Sequence, residues 1–252
     1  MTAAFRKRAA ILAIGDELLS GRTRDANIHH LAGWLTARGV ELCEARIVGD
    51  VEEEIAEALN ALRAKYDYVF TSGGIGPTHD DITVEAIARA FGVPVVEHRK
   101  AAALIRAWYG ARGLEATAAR LRMARTPEGA VLIDNPVTGA PGVRIDNVFV
   151  MAGVPRIFQA MLNAIESEIE TGVRLHSRSV TAYGLPESML SDQLREIQDA
   201  HRNVSIGSYP IDGDEKGVNV VARSESPEAA EIAVQSVAAV IRSLGVDPSF
   251  SE

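Results

Sequence analysis

Residues 71–81 read Thr71-Ser72-Gly73-Gly74-Ile75-Gly76-Pro77-Thr78-His79-Asp80-Asp81, and the reading of this stretch decides the fold. It follows the apolar run Tyr68-Val69-Phe70 and precedes an amphipathic run from Ile82 to Phe91. A strand that ends in glycines and opens a helix is the arrangement of an anion site. Glycines let the backbone approach a phosphate closely, and free N–H groups at the helix start point at it. Asp80 and Asp81 add a condition. Two carboxylates beside a phosphate repel it unless a hard cation such as Mg²⁺ lies between them. The segment therefore points to a metal-bridged phosphate or pyrophosphate. A plainer reading is compatible with this one: Thr78-x-x-Asp81 fits a capping box, with Thr78 as N-cap and Asp81 at N3.

Outward from this motif, strands and helices alternate. Residues 9–14 and 41–48 read as strands. Asp25 fits the N-cap of a helix over 26–37, where Ile28, Leu31, Trp34 and Leu35 share one face and Gly39 follows the end. Residues 51–65 start acidic and end basic, as a helix dipole favours. Residues 15–24 and the Pro- and Gly-containing stretch 134–142 read as loops, 93–96 as a short strand interrupted by Pro94, and 98–124 as helical with a break near 110–113. Strands at 131–133 and 148–150 and a helix over 154–169 follow. This alternation predicts an α/β fold, a three-layer α/β/α arrangement around a mostly parallel sheet. A boundary near 170–175 divides the chain into a larger domain, 1–170, and a smaller one, 171–252. The order strand (179–183), helix (186–200), strand (204–209), strand (217–222), helix (227–244) makes the second an α+β domain.

In an open parallel sheet, ligands bind beyond the carboxyl ends of the strands. Loops after the first three strands therefore bring Glu17, Asp50 and Asp81 to one rim, where carboxylates and backbone donors suit a divalent metal and a phosphate ester. Asp50 also precedes an acidic helix start, where it fits a cap equally well. Gly15 to Gly21 lacks Gly-x-Gly-x-x-Gly, and no Gly-Lys-Ser/Thr occurs, so neither the dinucleotide fingerprint nor the Walker loop is present. Gly-x-Ser-x-Gly is absent too, which directs any hydrolysis towards metal-activated water.

Composition bounds the rest. The 252 residues are 47% hydrophobic and 24% charged, with a net charge of −8 and a pI near 5.4. This balance argues against broad nucleic-acid binding and leaves room for a small anionic ligand. The single cysteine, Cys43, allows no internal disulfide. No run approaches the length of a membrane span, and no signal peptide is evident, so a cytoplasmic protein without membrane or nucleic-acid partners is expected.

With these motifs in hand, the chain resembles a known family. Ile14-Gly15-Asp16-Glu17-Leu18-Leu19-x-Gly21, Asp25-x-Asn27 and the motif at 71–81 resemble the molybdopterin-binding MoaB/Mog domain, closest to the branch seen in the competence/damage-inducible protein A family. Asn135-Pro136, Ala140-Pro141-Gly142 and Ala152-Gly153-Val154-Pro155 extend the similarity to about residue 165. Residues 179–244, with Gly184-x-x-Glu187-Ser188, resemble that family's small middle domain. The same larger domain occurs in eukaryotic FAD synthases. The resemblance implies a pterin or nucleotide ligand carrying phosphate, and a metal-dependent chemistry at a phosphoanhydride. Asp50 and Asp81 match the aspartates that serve metal binding and adenylyl transfer in the molybdenum-cofactor members, and are the expected catalytic pair. Asp81, Asp50, Glu17 and Asp80 are the expected metal ligands, for Mg²⁺, Mn²⁺ or Co²⁺. Gly73, Gly74 and Gly76 would present N–H groups to phosphate, with Ser72, Thr78, Ser20, Gly21 and Asn27 orienting the ligand. The expected activity is hydrolysis of ADP-ribose, FAD or a similar nucleotide, the alternative being molybdopterin binding or adenylylation. A homodimer or homotrimer is expected. The amidase domain of longer competence-family members and the adenylyltransferase domain of FAD synthases have no counterpart here, so neither activity is expected.

Overall fold

A computed structural model describes residues 7–213 and 215–251. The chain divides into two compact units, the first running to Gly172 and the second beginning at Val173.

In the first unit the elements are β1 (Arg8–Ile14), α1 (Asp16–Leu19), α2 (Asn27–Thr36), β2 (Glu41–Val48), α3 (Glu52–Arg63), β3 (Tyr68–Ser72) and α4 (Thr83–Phe91). They continue with β4 (Val95–Glu97), α5 (Arg99–Gly110), α6 (Ala118–Leu121), β5 (Arg125–Pro127), β6 (Val131–Ile133), β7 (Gly142–Ile145), β8 (Val148–Met151) and α7 (Pro155–Ala164). The main sheet has six strands in the order β2-β1-β3-β8-β7-β6. β1 pairs in parallel with β2 and β3, and β3 with β8, whereas β7 runs antiparallel to β8 and β6 antiparallel to β7. The sheet is thus mostly parallel, as the alternation of elements predicts.

Its two faces are both covered. Along β1, Ala9 and Ile11 turn to a core shared with Leu31, Leu35 and Phe158 of α2 and α7. Ala10, Leu12 and Ile14 turn to the opposite core, with Ile55, Leu59 and Ile87 of α3 and α4. This is the period-2 alternation of a strand buried on both sides. Phe70 and Phe149 are register partners on β3 and β8, and their rings stack with centroids 5.2 Å apart. Both are almost fully buried, and removing such a side chain from water contributes roughly 1.5–3 kcal/mol.

Several expectations are corrected. Residues 15–24 hold a short helix, α1, which buries none of its residues. The strand near Pro94 lies outside the main sheet and pairs with β5 in a separate two-stranded ribbon. Residues 142–145 are a strand, so the stretch between β6 and β7 is a hairpin connection. The helix expected over 154–169 stops at Ala164 and is followed by a 3₁₀ turn at Glu166–Glu168.

The second unit runs β9 (His176–Tyr183), α8 (Ser191–Ala200), β10 (Val204–Ile211), β11 (Gly217–Ser224), α9 (Pro227–Ser243) and β12 (Ser249–Ser251). Its four-stranded sheet, β10-β11-β9-β12, is antiparallel throughout. Val180, Val218 and Val220 pack against Val234, Val237 and Ile241 of α9. Ser226 caps that helix, accepting from the Ala229 N–H at 3.1 Å, with Pro227 in the first turn. The final strand, β12, is an addition to the order read from sequence.

No helix among the described residues is long and apolar enough to cross a membrane.

Candidate functional site

The parallel strands of the first unit end on one rim, and the loops leaving them enclose a cleft of about 590 Å³, a volume suited to a nucleotide-sized ligand. Its floor is the glycine loop after β3. Gly73 has φ +116, and a Cβ there would lie 2.2 Å from the Ile14 carbonyl oxygen, so only glycine lets β1 and this loop approach so closely. Thr83, the first residue of α4, ties the loop from behind: its hydroxyl donates to Gly73 O at 3.0 Å and its N–H to Gly74 O at 3.0 Å.

Asp81 pins the far side of the loop. Its Oδ1 accepts from Gly76 N–H at 2.6 Å, and its Oδ2 accepts from Thr78 N–H at 2.7 Å and from the Thr78 hydroxyl. The capping box expected at Thr78-x-x-Asp81 is therefore a loop staple, because α4 begins only at Thr83. Oδ1 of Asp81 accepts one hydrogen bond and so keeps acceptor capacity, and the residue lines the cleft. The N–H groups of Gly74 and Ile75 have no acceptor among the described residues. Neither do those of Gly153 and Val154, which lead into α7. All four residues line the cleft, and uncommitted backbone donors along its wall favour an anion.

The acidic side is built by the loops after β1 and β2. Asp50 does not cap α3, whose N-cap Val51 has no side-chain hydrogen bond. Its Oδ2 instead accepts from Asp16 N–H at 3.0 Å. Burial pushes the Asp50 carboxyl above its ordinary range; the Asp16 N–H opposes this, while the charges of Asp16, Glu17 and Asp80 add to it. Among the described residues no three histidine, cysteine or carboxylate groups form a ready-made metal cage.

Glu17, Asp50, Asp80 and Asp81 all line the cleft, and so do Gly73, Gly74 and Gly76. Ser20, Gly21, Ser72, Thr78 and Asn27 do not. Asn27 is 3% exposed and acts beneath the floor, where its amide donates to Ser72 Oγ and to Gly153 O, each at 2.7 Å. It thereby joins the end of β3 to the turn before α7. Asp25 caps α2 through Ile28 N–H at 2.8 Å and so fixes the position of Asn27. Sequence reasoning missed two contributions. Asp16 has no sequence signal beyond its place beside Glu17, yet it orders Asp50. Tyr109, Met123, Asn135 and Thr138 line the cleft from α5, the 3₁₀ turn after α6 and the β6–β7 connection. Residues 135–142 carried part of the family resemblance, and that was the available signal.

Comparison with known proteins follows this division of the chain. Residues 10–171 match the family model described as "Probable molybdopterin binding domain", and residues 174–248 match that of "FAD synthase, middle domain". A protein of Pyrobaculum calidifontis is 35% identical over 240 residues, covering 90% of this chain and 92% of the relative. A CinA-like protein of Myxococcus xanthus is 33% identical over 245 residues, covering 91% of this chain and 57% of the relative, so this chain spans little more than half of that protein. The crystal structure of the protein CinA with unknown function from Thermoplasma acidophilum aligns with a TM-score of 0.60 at 35% identity, covering 65% of this chain and 98% of that one.

Proposed function

The chain belongs to the MoaB/Mog-type molybdopterin-binding-domain family, in a CinA-like form followed by a FAD-synthase-type middle domain, and on that premise we propose that it is a divalent-metal-dependent hydrolase of nucleotide pyrophosphates such as ADP-ribose or FAD. The observation that carries this reading is the setting of Asp50. A carboxyl whose proton affinity is raised by burial and by three neighbouring acidic groups borders the same cleft as four uncommitted backbone N–H groups. One side of the cleft calls for positive charge and the other for negative charge, and a cation–phosphate pair satisfies both.

The donor set fits such a cation. Asp50, Glu17, Asp80 and Asp81 all line the cleft, without three of them being gathered on one point. An open set of oxygen donors suits a hard cation that completes its shell with water and phosphate oxygens. When bound, the cation would supply charge neutralisation at the phosphoanhydride and activation of water. The protein's own residues do the remainder. The N–H groups of Gly74 and Ile75 hold phosphate oxygens and are kept in place by Asp81 and Thr83. Gly153 and Val154 donate from the adjoining turn, which packs against Gly73, and Asn27 ties the two segments together. Water attacks one phosphorus, the bridging P–O bond breaks, and two phosphate monoesters leave: AMP with ribose 5-phosphate from ADP-ribose, or AMP with FMN from FAD.

The test is AMP release from ADP-ribose and from FAD by the purified chain with Mg²⁺, Mn²⁺ or Co²⁺, and with chelator. Metal-dependent release supports the reading, whereas no release with any of the three metals defeats it for these substrates. The second reading, molybdopterin binding or adenylylation, rests on the family itself and shares the cleft. A pterin that copurifies without hydrolytic turnover would favour it.

A further inference from the structure

We infer that residues 98–124 form a lid, hung on the β4–β5 ribbon, which closes when the cleft of the first unit is filled. This rests on the reading of that cleft as a ligand site, and it holds whether or not the ligand is hydrolysed.

The segment leaves the body and returns to it at one point. β4 and β5 pair antiparallel over Val95↔Pro127, Val96↔Thr126 and Glu97↔Arg125, outside the main sheet. His98 N–H donates to Ala124 O at 2.9 Å, the next backbone bond beyond the ribbon. α5, α6 and the 3₁₀ turn after α6 all lie between these two neighbouring residues. The ribbon itself is anchored, because β5 packs on α4 and Arg125 Nη1 lies 2.8 Å from Glu85 Oε1. Entry and exit side by side at the end of an anchored ribbon are the layout of a hinge, in which a few element-terminal residues absorb the motion.

The segment carries its own small core. Ala101, Ala102, Ile105 and Ala124 are buried together, apart from the two clusters that flank the main sheet. The body adds Ala140, with Leu132 packed against the cluster. So little apolar area holds the segment down only weakly.

Packing is incomplete at both places where segment and body meet. Trp108 stands against the β6–β7 connection, where a Cβ on Gly139 would lie 2.5 Å from Trp108 Cβ. The indole N–H of Trp108 is buried without an acceptor among the described residues, and an unpaired buried donor is a cost that another arrangement can relieve. Elsewhere a gap of about 20 Å³, room for one water, is lined by Arg122 and Met123 of the segment and by Gly76, Asp81 and Val150 of the body.

Tyr109 and Met123 carry the segment into the lining of the cleft, which the glycine loop also lines. A ligand that touches these two side chains and the glycine loop joins segment to body. Its contacts are greater in the closed arrangement, so binding shifts the population towards closure and shields the site from water.

The test is double electron–electron resonance on the full chain, with nitroxides on Leu114→Cys and Glu57→Cys in a Cys43→Ser background. Leu114 is exposed between α5 and α6, and Glu57 is exposed on α3. Glu57→Cys with Val131→Cys, exposed on β6, is the control pair within the body. The probes are AMP and inorganic pyrophosphate, each with saturating Mg²⁺. The ligand-free 57–114 distribution should be broader than the control, and a ligand should collapse it to one distance displaced by about 2 Å or more, while the 57–131 distance stays fixed. A 57–114 distribution that neither ligand narrows, or equal changes in both pairs, would overturn the inference. Failure of the hydrolase reading shows separately, as absence of AMP release, and leaves this distance comparison intact.

Discussion

Asp16 and Asp50 hold each other's backbone: Asp50 Oδ2 accepts from Asp16 N–H at 3.0 Å, and Asp16 Oδ1 accepts from Asp50 N–H at 3.3 Å. The pair locks the loop after β1 to the loop after β2 and brings two like charges together at the rim of the cleft. Oδ1 of Asp50 has no hydrogen bond among the described residues. Such an arrangement opposes folding, and a cost of this kind is common at functional sites.

Asp50→Asn tests that trade-off. The amide oxygen can still accept from Asp16 N–H, but the charge is gone. The folded-state pKa of Asp50 is raised, so the native protein holds that proton more tightly than the unfolded chain does. The cost to stability is absent below the unfolded pKa and develops as the pH rises through the raised folded value. At pH 7 the variant should therefore melt above the wild type, and the difference should vanish under acid. Thermal denaturation at pH 7 and pH 3.5 measures it, and a variant that melts lower at pH 7 would contradict the assignment.

Asp81 and Asp50 should separate in their metal dependence. Both oxygens of Asp81 are engaged in stapling the loop, whereas Asp50 presents a free oxygen. We expect Mn²⁺ binding, followed by electron paramagnetic resonance, to weaken more than tenfold in Asp50→Asn and less than threefold in Asp81→Asn. Asp81→Asn should instead cost roughly 1–3 kcal/mol of stability through the lost loop bonds. A larger metal defect in Asp81→Asn would reverse the two roles.

Glu44 provides a pH signature away from the site. The Tyr66 hydroxyl, Lys65 and Arg46 hydrogen-bond its carboxylate and hold its pKa at about 2. A depressed folded pKa gives stability that is complete above the unfolded value near 4.5 and lost as the pH falls towards about 2. Wild-type stability should decline across that window, and Glu44→Gln should flatten the decline. Parallel acid titrations of the two proteins would show the idea to be wrong.

Gly73→Ala should damage the floor of the cleft. Its Cβ would meet the Ile14 carbonyl oxygen at 2.2 Å on a backbone with φ +116, so β1 and the loop must separate. We expect a loss of roughly 2–4 kcal/mol in urea denaturation. A neutral substitution would mean that the two strands are not so closely apposed.

Much of this architecture is legible in the sequence because its signals are local. Ile11, Leu12, Val69 and Phe70 lie in short apolar runs that end in glycine loops, and a strand buried on both faces cannot read otherwise. The acidic and glycine residues of the cleft were readable for the same reason, since each directly follows such a run. What escaped depends on distant partners. Helix α1 buries nothing, and the bond that orders its first residue comes from Asp50, 34 positions away. The β6–β7 connection joins the rim only because β7 returns antiparallel to β8, a pairing that no local pattern announces. Tyr109 looks like any aromatic on an amphipathic helix until that connection is placed beside it. Strand β12 is three exposed residues, recognisable only from its pairing with β9.

The measurement that tests the central claim most directly is the time course of AMP release from ADP-ribose and FAD with saturating Mn²⁺, for wild type and Asp50→Asn, with folding verified by thermal melting. The account predicts chelator-sensitive release by the wild type and at least a hundredfold loss in a variant that remains folded. Release that persists in folded Asp50→Asn, or none from the wild type, would contradict it.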